Sequence, residues 1–206
     1  MGWKEFEENV TKYLNDNIGF PGISFINSGG ENSNEPDIKV IFNGKNIFSI
    51  ELKKSKSQSS QFVVINNKNS FIYSVKNRTD PISTEEIIDH MNNNHHYYQS
   101  NDEPININLK CDKQLMFDRV INHLKVKSKL IISSDYDDDF NASKPLSVFH
   151  IDEIKQHFII DGKYRTKRSG SSPARKNDLG FIINETIEKD DRFYLEDPNN
   201  LRERYL

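Results

Sequence analysis

The sequence predicts a single α/β domain, a mixed central sheet flanked by helices, extending over all 206 residues. Three observations carry this. Period-two alternation on both sides of Asn43-Gly44 marks a β-hairpin, and apolar residues at helical spacing mark helices over residues 3–15 and 112–125. The second helix leads into Leu130-Ile131-Ile132, an unbroken apolar strand. A strand apolar on both faces belongs inside a sheet that is covered on two sides.

Taken in order, the first helix has Phe6, Val10, Tyr13 and Leu14 on its apolar stripe, with Glu7 and Glu8 within it. Ile23–Asn27 is a short strand, and Ser28-Gly29-Gly30-Glu31-Asn32 a glycine-rich loop whose amides can approach a strand or a phosphate. From Glu35 to Lys53 the chain reads EPDIKVIFNGKNIFSIELK. Ile38, Val40 and Phe42 form one apolar row and Phe48, Ile50 and Leu52 another, both expected in the core. A two-residue loop at Asn43-Gly44 would oppose Phe42 to Lys45 and send the rows to opposite faces. A three-residue loop, Phe42-Asn43-Gly44 with Gly44 left-handed, is therefore expected. The remaining face then carries Asp37, Lys39, Glu51 and Lys53.

A polar run through Gln58 and Gln61 precedes the strand Phe62–Ile65, and Phe71–Val75 reads as another strand. Ser83, with Glu86 three residues on, signals a helix start, and that helix is expected to run through Met91 toward Tyr97-Tyr98. After Ile132 come a strand at Ser147–Phe149 and a short helix over Ile151–Phe158, capped near Asp152. Lys163–Lys176, KYRTKRSGSSPARK, carries six cations and no acid and is broken by Gly170 and Pro173, so a mobile basic loop is expected. Phe181–Ile183 and Phe193–Leu195 read as edge strands. There is no internal repeat and no linker.

Composition narrows the setting. A lone cysteine, Cys111, cannot form an intramolecular disulfide, and no apolar run approaches a membrane span, so a reduced cytoplasm is the expected location. The net charge of -3 neither supports nor excludes a nucleic-acid partner, because phosphate contacts need a local basic face. His90, His95 and His96 lack the converging spacing of a zinc site, and Asp135–Asp139 lacks the spacing and glycine of a calcium loop.

The chemistry lies on the polar face of the hairpin. Two carboxylates held close together repel, and a divalent cation such as Mg2+ relieves the repulsion. An adjacent ammonium can orient a water or stabilise charge on a phosphate. Pro36-Asp37 followed after the hairpin by Glu51-x-Lys53 resembles the PD-(D/E)xK nuclease superfamily, which includes many type II restriction endonucleases and archaeal Holliday junction resolvases. The resemblance covers residues 3 to about 65 and implies a restriction-endonuclease-like fold. It also implies that Asp37, Glu51 and the Leu52 carbonyl bind Mg2+, and that Lys53 assists the attacking water. In the resolvase-like branch an N-terminal helix supplies a further Glu ahead of a Gly-aromatic pair. Glu8 stands at the matching distance before Gly19-Phe20, with Glu7 beside it. Many members place a Gln soon after the lysine, for which Gln61 comes first and Gln58 second.

The expectation is thus a Mg2+-dependent endonuclease acting on double-stranded DNA. A type II restriction enzyme recognising a short sequence as a homodimer is the leading form, because the chain continues well past a compact resolvase core. Residues from about 130 onward would add recognition elements, with Lys163, Arg165, Lys167, Arg168, Arg175 and Lys176 as DNA contacts. Two alternatives remain: a structure-specific nuclease, either a junction resolvase or a phage DNA-processing enzyme, and a non-catalytic DNA-binding module.

Overall fold

The computed structural model describes residues 2–30, 35–54, 57–67, 69–75, 77, 83–99, 105–134 and 147–166, and the backbone of 180–189. The elements begin with α1 (Trp3–Asn17), β1 (Ile23–Asn27), β2 (Ile38–Phe42), β3 (Lys45–Lys54), β4 (Gln58–Asn67) and β5 (Ser70–Tyr73). There follow α2 (Thr84–Asn93), α3 (His95–Tyr98), β6 (Asn106–Asn108) and α4 (Lys113–Lys125). The described chain ends with β7 (Leu130–Ser134), β8 (Ser147–His150), a 3-10 turn (Ile151–Glu153), α5 (Ile154–His157), β9 (Phe158–Thr166) and β10 (Gly180–Lys189). They group into two compact units, Met1–Ser57 with Leu124–Phe158 and Lys189–Leu206, and Gln58–His123 with Ile159–Glu188. Among the described residues no helix is long and apolar enough to cross a membrane.

The first unit is the expected mixed sheet with helices. Its order is β1-β2-β3-β7-β8, with β3 and β7 parallel and the other neighbours antiparallel. Phe6, Val10, Leu14 and Ile18 from α1 pack on Phe25, Ile38, Val40, Ile50, Leu52, Leu130 and Ile132, so the predicted apolar stripe and strand rows form one core. Asn15 ties the helix to β1, its side chain bonding both the N–H and the C=O of Phe25 at 2.9 and 2.8 Å. At Gly19 a side chain would meet the Asn15 carbonyl at 2.7 Å, which is why glycine stands where the chain leaves the helix.

The hairpin reaches the expected facing by a different route. Its loop has two residues, with Asn43 and Gly44 both at positive φ and Phe42 opposite Lys45, and the slip this introduces is cancelled inside β3. Ile41 pairs with Asn46 and Val40 with Phe48, leaving Ile47 as a bulge. Ile38 and Val40 thereby share a face with Phe48, Ile50 and Leu52, whereas Phe42, expected in the core, is 39% exposed beyond the bulge.

The second unit is built on another five-stranded sheet, β5-β4-β10-β9-β6. Gln58–Gln61, read as a polar connector, are part of β4, with Gln61 in register with Asn184. The segment read as an edge strand at Phe181–Ile183 belongs to β10, which lies between β4 and β9. Lys163–Thr166, expected in a mobile loop, continue β9. Ile160, Gly162 and Tyr164 alternate inward, and Gly162 has no room for a side chain against Leu109 and Met116. Ser83 does not cap α2. It has φ +60, and its hydroxyl accepts from Asn122 at 2.9 Å. That helix breaks at Asn94 before α3. In the first unit, the helix near Asp152 is a 3-10 turn followed by α5 and is capped by His150, which accepts from the Asp152 amide. The expected strand Phe193–Leu195 lies outside the described residues.

Candidate active site

Asp37 stands where the β2–β3 ladder gives out. Extending the register of Ile38 with Ile50 by two residues would oppose Leu52 to Pro36. Proline has no N–H to give the Leu52 carbonyl. The Leu52 amide instead donates to Asp37 Oδ2 at 2.7 Å. In a strand the N–H and C=O of one residue point to the same neighbour, so the Leu52 carbonyl faces the Asp37 side without a ladder partner from Pro36. The Asp37 backbone is fixed from the other side, where its carbonyl accepts from the amides of Ser28 and Gly29 at 2.9 and 3.0 Å. The Ser28 hydroxyl donates to the Pro36 carbonyl at 2.8 Å. Ser28 and Gly29 therefore position Asp37.

Glu51 is 2% exposed on β3, between β2 and β7. Two ammonium groups meet it. Lys53 donates to Oε1 at 2.6 Å, and Lys127 donates to Oε1 at 2.9 Å while lying 2.8 Å from Oε2. Oε2 is buried and makes no hydrogen bond among the described residues. Lys127 is marked by no motif. It sits in the turn after α4, whose amides at Lys127 and Ser128 donate to the Leu124 carbonyl at 3.1 and 2.9 Å, while Lys129 joins Ser49 on β3.

The third carboxylate is Glu7. Glu7, Val10, Thr11 and Leu14 share the inward face of α1, whereas Glu8, the glutamate favoured from spacing, falls one position further round and is exposed. The Gly29 backbone lies against the Glu7 carboxyl, and a Cβ there would come within 2.9 Å of Cδ. Gln58 and Gln61 belong to the second unit, as do Lys163 and Arg165, which stand on the outward positions of β9. Lys167, Arg168, Arg175 and Lys176 lie outside the described residues.

The charges are unequally held. Burial and then Asp37 push the Glu7 carboxyl up to about 7. Burial and then Glu51 also push Asp37 above its ordinary range, against Lys53 and the Leu52 amide. Burial acts on Glu51 in the same sense, but Lys53 and Lys127 outweigh it and hold this carboxyl below the usual range. For Lys53, burial favours the neutral amine, yet Glu51 and Asp37 prevail and raise its pKa. The site thus holds one firmly ionised carboxylate, Glu51, and two whose protons are retained to higher pH.

Glu7 makes this testable. Its pKa of about 7 in the fold lies above the ordinary 4.5, so the folded chain binds the proton more tightly and stability falls as pH rises from 4.5 toward 7. Glu7→Gln is expected to remove that loss and stabilise the metal-free protein above neutral pH by up to about 3 kcal/mol. Urea unfolding at about pH 5 and about pH 8 measures the effect. A difference between wild type and variant that stays constant between the two would contradict it.

Among the described residues no three Asp, Glu, His or Cys side chains are arranged to hold a metal ion unaided. The Asp37 and Glu51 carboxylates and the Leu52 carbonyl are the oxygens of the motif that could hold a hard cation. So sparse a set suits Mg2+, which keeps several of its own waters. The carbonyl opposite proline fits such an ion, as does Glu51 Oε2, which makes no hydrogen bond among the described residues and faces the Lys127 ammonium at 2.8 Å.

No protein-family model and no curated protein sequence matches the chain. Among solved structures the chain is similar to HhaI endonuclease in complex with DNA, with a TM-score of 0.74 at 23% sequence identity, over 100% of this chain and 98% of that one. The likeness establishes the fold as a mixed α/β architecture of the kind found in HhaI endonuclease.

Proposed function

We propose that the protein is a Mg2+-dependent endonuclease that hydrolyses phosphodiester bonds of double-stranded DNA, in the manner of a type II restriction enzyme. The observation that carries this reading is the meeting of Asp37, Glu51 and Lys53 at the strand end where Pro36 leaves the Leu52 carbonyl without a ladder donor. The likeness to HhaI endonuclease, whose structure was solved in complex with DNA, supports it.

Asp37, Glu51 and the Leu52 carbonyl would hold the ion. Bound there, Mg2+ supplies Lewis-acid stabilisation of phosphate charge and acidifies a water. Lys53, held charged by Glu51 and Asp37, orients the attacking water and offsets negative charge on the phosphate. Glu7, whose carboxyl pKa burial and Asp37 raise in the metal-free fold, is proposed as the third carboxyl of the group. Gln61 is proposed as a second water or phosphate ligand. Lys163, Arg165, Lys167, Arg168, Arg175 and Lys176 are proposed as DNA contacts and two copies as the active form, since palindromic sites are read by symmetric dimers.

A glutamate on the N-terminal helix beside the motif carboxylates also suits a junction resolvase. Plasmid DNA and a synthetic four-way junction, each incubated with Mg2+ and with EDTA, separate the readings. Discrete plasmid fragments that require Mg2+ are expected. Cutting of the junction alone would select the resolvase, and binding without cleavage would sink both enzyme readings.

A further inference from the structure

Lys127 belongs to neither the Asp37 nor the Glu51-x-Lys53 segment, yet its ammonium is among the most enclosed charges in the first unit, with a side chain 9% exposed. Its placement follows from the chain's geometry. The turn leaving α4 is closed on the Leu124 carbonyl, Lys129 then bonds Ser49, and β7 enters parallel to β3 with Leu130 opposite Ile50 and Ile131 opposite Glu51. A side chain in that turn reaches Glu51 from the β7 side, whereas Lys53 reaches it from within β3. Val126, one residue earlier, is 79% exposed, so the turn directs Lys127 inward and its neighbour out.

The consequence is electrostatic. Glu51 is buried deeply enough that an uncompensated carboxylate there would be strongly unfavourable. Lys53 and Lys127 both meet Glu51, Lys53 also facing Asp37, and Lys127 lies within 2.9 Å of both Glu51 oxygens. A divalent cation arriving at Glu51 would compete for the same oxygens and be repelled by the ammonium.

Resting on the reading of Asp37 and Glu51 as a metal site, we infer that Lys127 is the resident counter-ion of Glu51, a positioning residue that holds the carboxylate in place until a divalent metal replaces it. Lys127 therefore weakens metal binding while stabilising the metal-free protein. Holding the ligand in place and limiting affinity for the ion are two effects of one ammonium. A residue whose role is only structural would change stability without tightening metal binding.

The test uses the full chain with Mn2+ as the probe, titrated calorimetrically at about pH 7.5, and thermal unfolding with and without the ion. Lys127→Met is expected to lower the metal-free Tm and to bind Mn2+ roughly tenfold more tightly, because a unit positive charge beside the site has gone. Lys127→Arg keeps the charge and is expected to restore both values toward wild type. Equal or weaker Mn2+ binding by folded Lys127→Met overturns the inference, as does a metal-free Tm that does not fall. Should Lys127→Met fail to fold, Lys127→Gln carries the same comparison. Wild-type protein that binds no Mn2+ overturns the metal-site reading itself, a result distinct from equal affinities in the two proteins.

Discussion

Lys53→Ala is expected to reduce Mg2+-dependent DNA cleavage by on the order of a thousandfold, because it removes the only motif cation able to act on both the water and the phosphate. The substitution also takes one of two counter-ions from Glu51, whose side chain is 3% exposed. Breaking a buried pair costs about 3–5 kcal/mol when nothing replaces the partner. Here Lys127 remains at 2.8 Å, so a cost at or below the bottom of that range is expected. Cleavage is measured at a temperature where the variant is folded by circular dichroism, alongside DNA binding in Ca2+. Retained binding with lost cleavage locates the defect in the chemistry, whereas wild-type cleavage by folded Lys53→Ala would remove this residue from the mechanism.

Asp37→Asn is expected to move stability and activity in opposite directions. Burial and the charge of Glu51 disfavour ionised Asp37 in the metal-free fold, so a neutral isostere relieves a repulsion and Tm rises. The amide oxygen of Asn can still accept the bond that Asp37 Oδ2 takes from Leu52, so the local backbone is preserved. The metal loses an anionic ligand, and cleavage falls on the order of a thousandfold. A carboxylate retained purely for structure would show the reverse, a lower Tm with activity following the folded fraction. Thermal unfolding in EDTA and cleavage in Mg2+, performed on the same preparation, decide between the two.

The hairpin and the first core were legible because alternation and helical spacing are local. Ile38, Val40, Ile50 and Leu52 face α1 as their sequence rows required. The turn was misread because two arrangements yield the same facing. A three-residue loop and a two-residue loop followed by a bulge both restore the parity, and nothing at Ile47 announces a bulge. Glu7 could have been preferred over Glu8 by placing both on the helical stripe of Val10 and Leu14, since only Glu7 falls on it. In β9 the alternation of Ile160, Gly162 and Tyr164 was present but was outweighed by the cations around it. Lys127 could not be found this way. It is one of three lysines at alternate positions before β7, and its contact with Glu51 spans 76 residues. Interactions set by strand pairing over such separations leave no local trace.

The most direct measurement is an anomalous difference map from a crystal of the protein with duplex DNA and Mn2+. The metal account predicts a peak bonded to Asp37, Glu51 and the Leu52 carbonyl, at roughly 2.0–2.3 Å. A crystal of protein that cleaves DNA in solution, yet with its peak elsewhere or with no peak between those two carboxylates, would contradict the account.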